Sequence, residues 1–221
     1  MADDVTIDGE TYDDESYDDE TIDGATGLAE RASGTVANLA QFEGLVLARR
    51  TSLSVDPDRP IADAVVERLI RLATWAPSHK RTYPWRFAWV TGAGRHRLGA
   101  VISTYEASIG ATASRVERAR TKYARAPVVL LVGIAHHRDP VRRQEDRDAA
   151  AAGVEHVLLG ATAAGLASHW ATGTWMDDPE VKHLAGLAPD DQLVALIYLG
   201  WPVAEVVAPQ RPTPVVTRID S

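Results

Sequence analysis

Two short basic segments hold the side chains best suited to bind an anion. The first, Arg49-Arg50-Thr51, ends a helix-like segment and places two guanidinium groups beside a hydroxyl. Guanidinium groups can form fork-like hydrogen bonds with a phosphate. Cations are also favourable at any solvated helix C-terminus. From this segment alone, a phosphate site and an exposed helix end both remain open.

The second basic segment, residues 76–85, reads Ala-Pro-Ser-His-Lys-Arg-Thr-Tyr-Pro-Trp. It lies where a predicted helix ends and a predicted strand begins, and its three consecutive bases are flanked by prolines and aromatic residues. Clustered like charges destabilise a loop unless an anion lies nearby or solvent screens them. The segment therefore predicts either an anion site or an exposed basic connector.

Other motifs do not predict a catalytic or metal site. Gly92-Ala93-Gly94 and Gly99 follow a predicted strand, but the third glycine comes two positions too late for a dinucleotide fingerprint. We interpret that segment as a strand, a turn and a helix. His136 and His137 have no second ligand set at metal spacing, so we interpret them as loop histidines. No serine lies in a nucleophile-elbow context, and we predict neither a catalytic side chain nor a metal site.

The composition excludes several classes of protein. The 221 residues include no cysteine, which excludes disulfides, thiolate metal sites and cysteine nucleophiles. Residues 1–30 contain 12 of the 31 acidic residues and no Lys or Arg, so 19 acids face 23 bases elsewhere, a charge of about +4. A mild positive charge on residues 31–221 suits the binding of a small anionic ligand. The basic residues are scattered along the chain, so they do not indicate a nucleic-acid-binding surface. With no signal-peptide or membrane-spanning pattern, we expect a cytoplasmic protein that binds no membrane.

The N-terminus is a separate segment by composition. It contains a degenerate five-residue repeat, Thr-Ile-Asp-Gly-Glu, Thr-Tyr-Asp-Asp-Glu, Ser-Tyr-Asp-Asp-Glu, Thr-Ile-Asp-Gly. A segment this acidic has too little apolar surface to form a buried core. We therefore predict a disordered tail over residues 1–35 and one folded domain over residues 36–221. Binding of a partner or a metal ion is the alternative role for this tail.

Helical and strand-like segments alternate after residue 38. Apolar spacing predicts a first helix from Leu39 and a second from Pro60 that turns Ile61, Val65, Leu69 and Leu72 inward. The remaining segments comprise three strands, further helices and an extended tail after Pro202. The strands are predicted over 86–91, 127–135 and 193–200, and the helices over 95–122 with a break near Gly110, over 149–168, and from Pro179. Strands among helices predict a layered α+β or α/β domain.

The order of these motifs resembles the nitroreductase family of FMN flavoproteins. That family shows Arg-Arg-Ser and, some 25 to 30 residues later, Ala-Pro-Ser-x-x-Asn-x-Gln-Pro-Trp, where this chain has Arg49-Arg50-Thr51 and then residues 76–85. The likeness continues through residues 123–133, 149–172 and 191–202, and covers roughly residues 40–218. Each motif is weak alone, but five of them in this order are specific.

The resemblance implies an α+β three-layer fold with a central mixed, largely antiparallel sheet flanked by helices. It also implies a homodimer with an extended C-terminal tail and an FMN in each of two shared sites. Such an oxidoreductase takes hydride from NADH or NADPH and passes it through flavin N5 to a nitroaromatic, quinone or activated alkene. The alternatives are a non-catalytic flavin carrier or sensor, a family oxidase acting on a biosynthetic intermediate, and an interaction protein that works through its acidic tail.

The resemblance also implies a set of residues that contact FMN. Some of them hold the phosphate and the ribityl chain, and others approach the flavin ring, in part from the partner subunit. The phosphate and ribityl contacts are Arg49, Arg50 and Thr51, with Arg211 as a further phosphate contact; the remaining contacts are Trp75, His79, Lys80, and the loop Trp170-Ala171-Thr172-Gly173. This chain departs from the family at Arg81 and Tyr83, which replace the Asn and Gln, and at Leu53, which replaces a cation that stabilises reduced flavin. Lys80 or Arg81 could replace that cation.

Overall fold

The computed structural model describes residues 39–219. The predicted acidic tail over residues 1–35 and the predicted domain boundary at residue 36 lie outside the described residues. The described elements alternate between helices and antiparallel strands. In chain order they are α1 (Leu39–Ala48), β1 (Val55–Asp56), α2 (Asp63–Ala73), β2 (Trp85–Val90), α3 (Gly92–Ser108), α4 (Ala113–Lys122), β3 (Val128–Ile134), α5 (Pro140–Ala163), β4 (Ala167–Ala171), α6 (Pro179–Leu184) and β5 (Gln192–Pro202).

The sheet is built around β5. One edge of β5 pairs with β3, which pairs with β2, and its other edge pairs with β4 and β1. All of these ladders are antiparallel, and a single parallel bridge joins Thr51 to Ser168. The sheet is therefore mixed but largely antiparallel, as the resemblance implied.

Helices cover both faces of the sheet, which gives three layers. Every residue of β3 is buried, and successive side chains point to opposite faces. Val129 and Leu131 pack with α3, α4 and α6, whereas Val128, Leu130 and Val132 pack with α2 and α5. This confirms the predicted α+β three-layer fold and the prediction that β3 is buried on both sides. No helix within residues 39–219 has the length and apolarity needed to cross a membrane.

Several predicted boundaries were wrong. The second helix begins at Asp63 rather than Pro60, and Leu72 is 45% exposed rather than buried. Residues 92–94, predicted as a turn, form the first turn of α3. The largest difference is α5, which begins at Pro140 and ends at Ala163, whereas the sequence predicted 149–168.

Capping explains the early start of α5. The side chain of Asp139 accepts a hydrogen bond from the Val141 amide at 2.8 Å, and Pro140 occupies the first turn. The polar residues that follow carry no continuous apolar stripe, so periodicity alone did not reveal this part of the helix. Beyond α5, Gly165 adopts a φ of +75°, and the chain then enters β4, a strand that was not predicted.

The small residues of α5 serve packing within the chain. A Cβ added at Gly153 would lie 2.7 Å from the carbonyl oxygen of Ala73, and one added at Gly160 would lie 2.8 Å from a methyl group of Leu72. Small residues on a helix can serve packing within a core or packing between two chains. The contacts show that they allow α2 to approach α5 closely.

Candidate functional site

The Arg49-Arg50-Thr51 segment lies directly after α1 and is attached to β4. The Ser52 amide donates a hydrogen bond to the Ser168 carbonyl at 2.9 Å, and Thr51 forms a bridge with the same residue. These contacts fix the backbone next to Arg50. The segment is therefore held against the sheet rather than left as a free helix end.

Arg50 has a buried donor without an acceptor. Its Nη1 donates to the carbonyls of Leu47 and Arg49, but its Nε is buried and has no hydrogen-bond partner among residues 39–219. A buried donor left unsatisfied costs about 1–3 kcal/mol, and more when it is charged. The side chain lines a cleft of about 290 Å³, the Arg50 cleft, together with Ser52, Thr162 and residues 204–206. An anionic oxygen such as that of a phosphate would satisfy this donor, and Ser52 and Thr162 add hydroxyl groups to the lining, whereas Glu205 adds a carboxylate. The residues around Arg50 itself therefore fit such a group.

The structure separates the two adjacent arginines. The Nε of Arg49 lies 3.6 Å from Oε1 of Glu155 on α5, and Arg49 does not line the Arg50 cleft. Thr51 is exposed. Of the three residues predicted to hold a phosphate, Arg50 therefore has the clearest geometry for it.

The second basic segment forms a tight loop with an unusual backbone. His79–Arg81 make one turn of 3-10 helix, and Lys80, Arg81 and Tyr83 have φ values of 49°, 53° and 45°. Left-handed backbone costs about 1–2 kcal/mol for each non-glycine residue, so surrounding contacts must hold this loop.

A chain of hydroxyl groups provides those contacts. The Oγ of Ser78 lies 3.0 Å from Oγ1 of Thr82 and accepts a hydrogen bond from the Tyr83 amide at 3.2 Å. Thr82 then donates to the carboxylate of Asp146 at 2.5 Å. Asp146 lies on α5 and is only 4% exposed. The loop that carries His79 is thus attached to the long helix through a buried carboxylate.

The aromatic and basic side chains of this loop, and Trp75 just after α2, are exposed in the single chain. Trp75 is 71% exposed and Tyr83 is 60% exposed. Lys80 is also exposed, and the His79 Nε2 lies 3.8 Å from Oε1 of Glu145. These residues therefore form a surface rather than an enclosed pocket within one chain.

The segment predicted as a flavin loop, residues 170–173, lies partly in a strand and partly in the connection after it. Trp170 and Ala171 end β4, and Thr172 and Gly173 form the turn that follows. A Cβ added at Gly173 would lie 2.1 Å from Nε1 of Trp175, so only glycine fits against that buried ring. In β4 itself, burial lowers the pKa of His169, whose ring lies edge-on to Tyr198 with centroids 6.0 Å apart.

Comparison with known proteins identifies the family of this chain. A family model described as the nitroreductase family matches residues 46–201. The chain belongs to the nitroreductase family. It is 28% identical over 177 residues to the Escherichia coli K12 protein named "Putative NAD(P)H nitroreductase YdjA", an alignment that covers 78% of this chain and 96% of that protein.

Solved structures of the same family share the fold. A nitroreductase-like family protein from Bacillus cereus superposes with a TM-score of 0.67 at 22% identity, covering 82% of this chain and 93% of the other. A nitroreductase from Bacteroides fragilis, solved with bound FMN, superposes with a TM-score of 0.65 at 22% identity, covering 80% and 98%. These comparisons confirm the resemblance drawn from the sequence motifs.

Within this nitroreductase fold, the structure connects two of the segments predicted to contact FMN. A hydrogen bond and a β-bridge to Ser168 join the Arg49-Arg50-Thr51 segment to β4, the strand that carries Trp170. Arg211 is exposed and lies in the irregular segment after β5. Sequence reasoning missed Asp146, because a lone acid within a charged run gives no sign of burial.

Proposed function

We propose that this nitroreductase-family chain is an FMN-dependent oxidoreductase that uses NADH or NADPH to reduce an electron-poor acceptor. The acceptor class is a nitroaromatic, a quinone or an activated alkene. The observation that carries the proposal is the buried, unpartnered Nε of Arg50 in a cleft beside Ser52. The names of the relatives, an NAD(P)H nitroreductase and a nitroreductase solved with FMN, support the choice of cofactor and donor.

Each predicted residue has a role in binding or orientation. Arg50 would hold the FMN phosphate, with Arg49 and Thr51 contributing through charge and a hydroxyl. The backbone of residues 170–173 would lie along the flavin ring. FMN, when bound, would supply at its N5 atom a hydride acceptor for NADH or NADPH and then a hydride donor for the second substrate, which gives ping-pong kinetics. The protein contributes alignment of the substrate and exclusion of water.

We propose further that the functional unit is a homodimer in which His79, Lys80 and Trp75 contact the flavin of the partner subunit. The exposed aromatic side chains of Trp75 and Tyr83 support this arrangement, because a second chain would cover them. Sedimentation analysis of the purified protein tests it, and a monomer that keeps stoichiometric FMN would contradict it.

The visible spectrum of the purified protein, recorded before and after anaerobic NADPH or NADH, tests the proposed function. Oxidised flavin bands that bleach on reduction are the expected result. Flavin that does not bleach would favour the carrier, or the oxidase if oxygen is consumed without a nicotinamide. A colourless protein that takes up no added FMN would refute the proposal.

The role of Arg50 is tested separately by measuring FMN affinity. Arg50→Ala removes a charge-assisted hydrogen bond, so the FMN dissociation constant should rise about 10- to 150-fold. Arg50→Lys keeps the positive charge but cannot form the paired hydrogen bonds of a guanidinium group, so its FMN dissociation constant should be intermediate. Arg97, exposed on α3, provides the matched control as Arg97→Ala. Unchanged affinity in Arg50→Ala would remove Arg50 from the phosphate site.

A further inference from the structure

A second cleft, of about 320 Å³, lies between α3, α4 and the turn after β4. We call it the basic cleft. One wall is formed by Thr172, Gly173 and Trp175, and the other carries four cationic side chains and one carboxylate. The cationic residues are Arg115, Arg118, Lys122 and Arg125, and the carboxylate is that of Glu106. The basic cleft shares no lining residue with the Arg50 cleft.

The spacing of the bases places them on one side of α4. Arg115, Arg118 and Lys122 are separated by three and four residues, which brings them to the same face of a helix. Arg125 follows in the 3-10 turn that continues α4. Four cations against one carboxylate give this cleft a formal charge of +3.

The single carboxylate is already occupied by one of these cations. Glu106 is only 3% exposed, and its Oε2 lies 2.6 Å from Nε of Arg115. Its Oε1 accepts a hydrogen bond from Nη2 of Arg115 at 3.1 Å, whereas Oε2 has no hydrogen-bond partner among the described residues. This ion pair holds Arg115 at the wall of the cleft, where Glu106 supplies the one carboxylate of the lining.

Two of the remaining cations of the cleft have no ion-pair partner in the described part of the chain. Neither Arg118 nor Arg125 has a carboxylate within ion-pair distance among residues 39–219. Burial lowers the pKa of Lys122; Glu106 opposes this shift, and the three neighbouring guanidinium groups lower the pKa further. Lys122 is half-buried, whereas Arg115, Arg118 and Arg125 are exposed, so solvent screens part of the repulsion among these cations. An anion in the cleft would neutralise the rest.

We propose that the basic cleft binds a phosphate group of a small-molecule ligand. Guanidinium groups suit this ligand because their planar forks match phosphate oxygens, and a dianion would offset most of the +3 charge. Thr172 and Gly173 line the cleft and also belong to the predicted flavin loop. If the proposed function holds, the ligand is one that reacts at the flavin. It is either NADPH, bound in the basic cleft by its 2′-phosphate, or a phosphorylated acceptor.

Calorimetric titration of the purified protein tests this site with two probes, inorganic pyrophosphate and adenosine 2′,5′-bisphosphate. The test variant is Arg118→Gln/Arg125→Gln. The matched control is Arg120→Gln on the same helix, because Arg120 is exposed, pairs with Glu117 at 3.4 Å and does not line the cleft. Loss of one charge-assisted hydrogen bond to phosphate weakens binding about tenfold or more, so the double variant should bind at least tenfold more weakly. The control should bind as the wild type does.

The two probes distinguish the sources of the phosphate. Selective loss of adenosine 2′,5′-bisphosphate binding, with a lower kcat/KM for NADPH and an unchanged value for NADH, supports NADPH as the ligand. Loss of pyrophosphate binding alone supports a different phosphorylated ligand at the same cleft. Equal binding by the wild type and the double variant, or no binding of either probe by the wild type at millimolar concentration, overturns the proposal.

Salt dependence gives a second measurement that needs no variant. Binding of a phosphate by several cations should weaken steeply as ionic strength rises, because screening reduces their attraction. Binding that is insensitive to salt would also overturn the proposal. Failure of the proposed FMN-dependent function can be distinguished from failure of the phosphate site, because a protein that takes up no FMN can still be titrated with both probes.

Discussion

The hydroxyl of Thr82 connects the loop that carries His79 and Lys80 to α5, and we predict that Thr82→Val weakens FMN binding. Valine has the shape of threonine but cannot donate to Asp146, whose carboxylate is buried. A hydrogen bond to a charged group contributes about 1.5–3 kcal/mol. Without it, the loop in which Lys80, Arg81 and Tyr83 have left-handed backbone loses its hydrogen bond to α5.

The expected magnitude follows from the cost of re-forming the loop. If flavin binding requires the observed loop conformation, the apparent affinity for FMN is proportional to the fraction of molecules that have this conformation. A loss of about 1.5–3 kcal/mol in the loop then raises the FMN dissociation constant by at most about 10- to 150-fold, the full value applying where the loop conformation is marginally stable. Because the buried carboxylate also loses a donor, the melting temperature should fall by about 3–12 °C for a domain of this size.

Fluorescence titration with FMN and thermal melting of the apoprotein measure these two effects. Thr82→Ser restores the hydroxyl and should recover most of both losses. Asp148→Asn is the matched control on α5, since Asp148 is exposed and contacts Gln144 rather than the loop. Unchanged FMN affinity and melting temperature in Thr82→Val would refute the reasoning. A lower melting temperature with unchanged FMN affinity would show that this loop does not position a flavin contact.

Three further predictions concern packing and protonation. Gly99→Ala should lower the melting temperature by about 2–12 °C in a thermal scan, because the new Cβ would lie 2.2 Å from the carbonyl oxygen of Arg120. Gly173→Ala should do the same and shift tryptophan fluorescence, since its Cβ would lie 2.1 Å from Nε1 of Trp175; an unchanged spectrum would contradict that contact. Burial lowers the pKa of His169, so the unfolded chain binds its proton first and folding stability falls as pH drops below about 6.5. The melting temperature of His169→Gln should therefore fall less than that of the wild type between about pH 7.5 and pH 5.

Much of the fold could be predicted because its central elements have strong local patterns. The apolar, β-branched run of β3 predicted a strand buried on both sides, and β5 was predicted in the same way. By contrast, β4 is a short strand that includes Ser168 and His169, and its identity depends on pairing with β5. Periodicity within a sequence window carries no information about such a partner.

The candidate site was predictable in its motifs but not in its contacts. Arg50 was located by its neighbours in the sequence, yet the sequence gives no indication that it lines a cleft and that Arg49 turns to Glu155. The bond between Thr82 and Asp146 joins residues 64 positions apart. Such a contact depends on the path of α5 across the sheet, which no local pattern specifies.

The exposure of the predicted flavin contacts links the site to the proposed dimer. Arg50 is held within one chain, whereas Trp75, at 71% exposure, lies on its surface. Phe42 and Leu47 on α1 are also 51% and 71% exposed, so an apolar surface lies next to the Arg49-Arg50-Thr51 segment. Apolar surface of this kind is stabilised when a second chain covers it. If one subunit supplies the phosphate contacts and the other adds His79, Lys80 and Trp75 at the flavin, conditions that dissociate the dimer should release FMN as well. Sedimentation with detection at the flavin wavelength would follow both events.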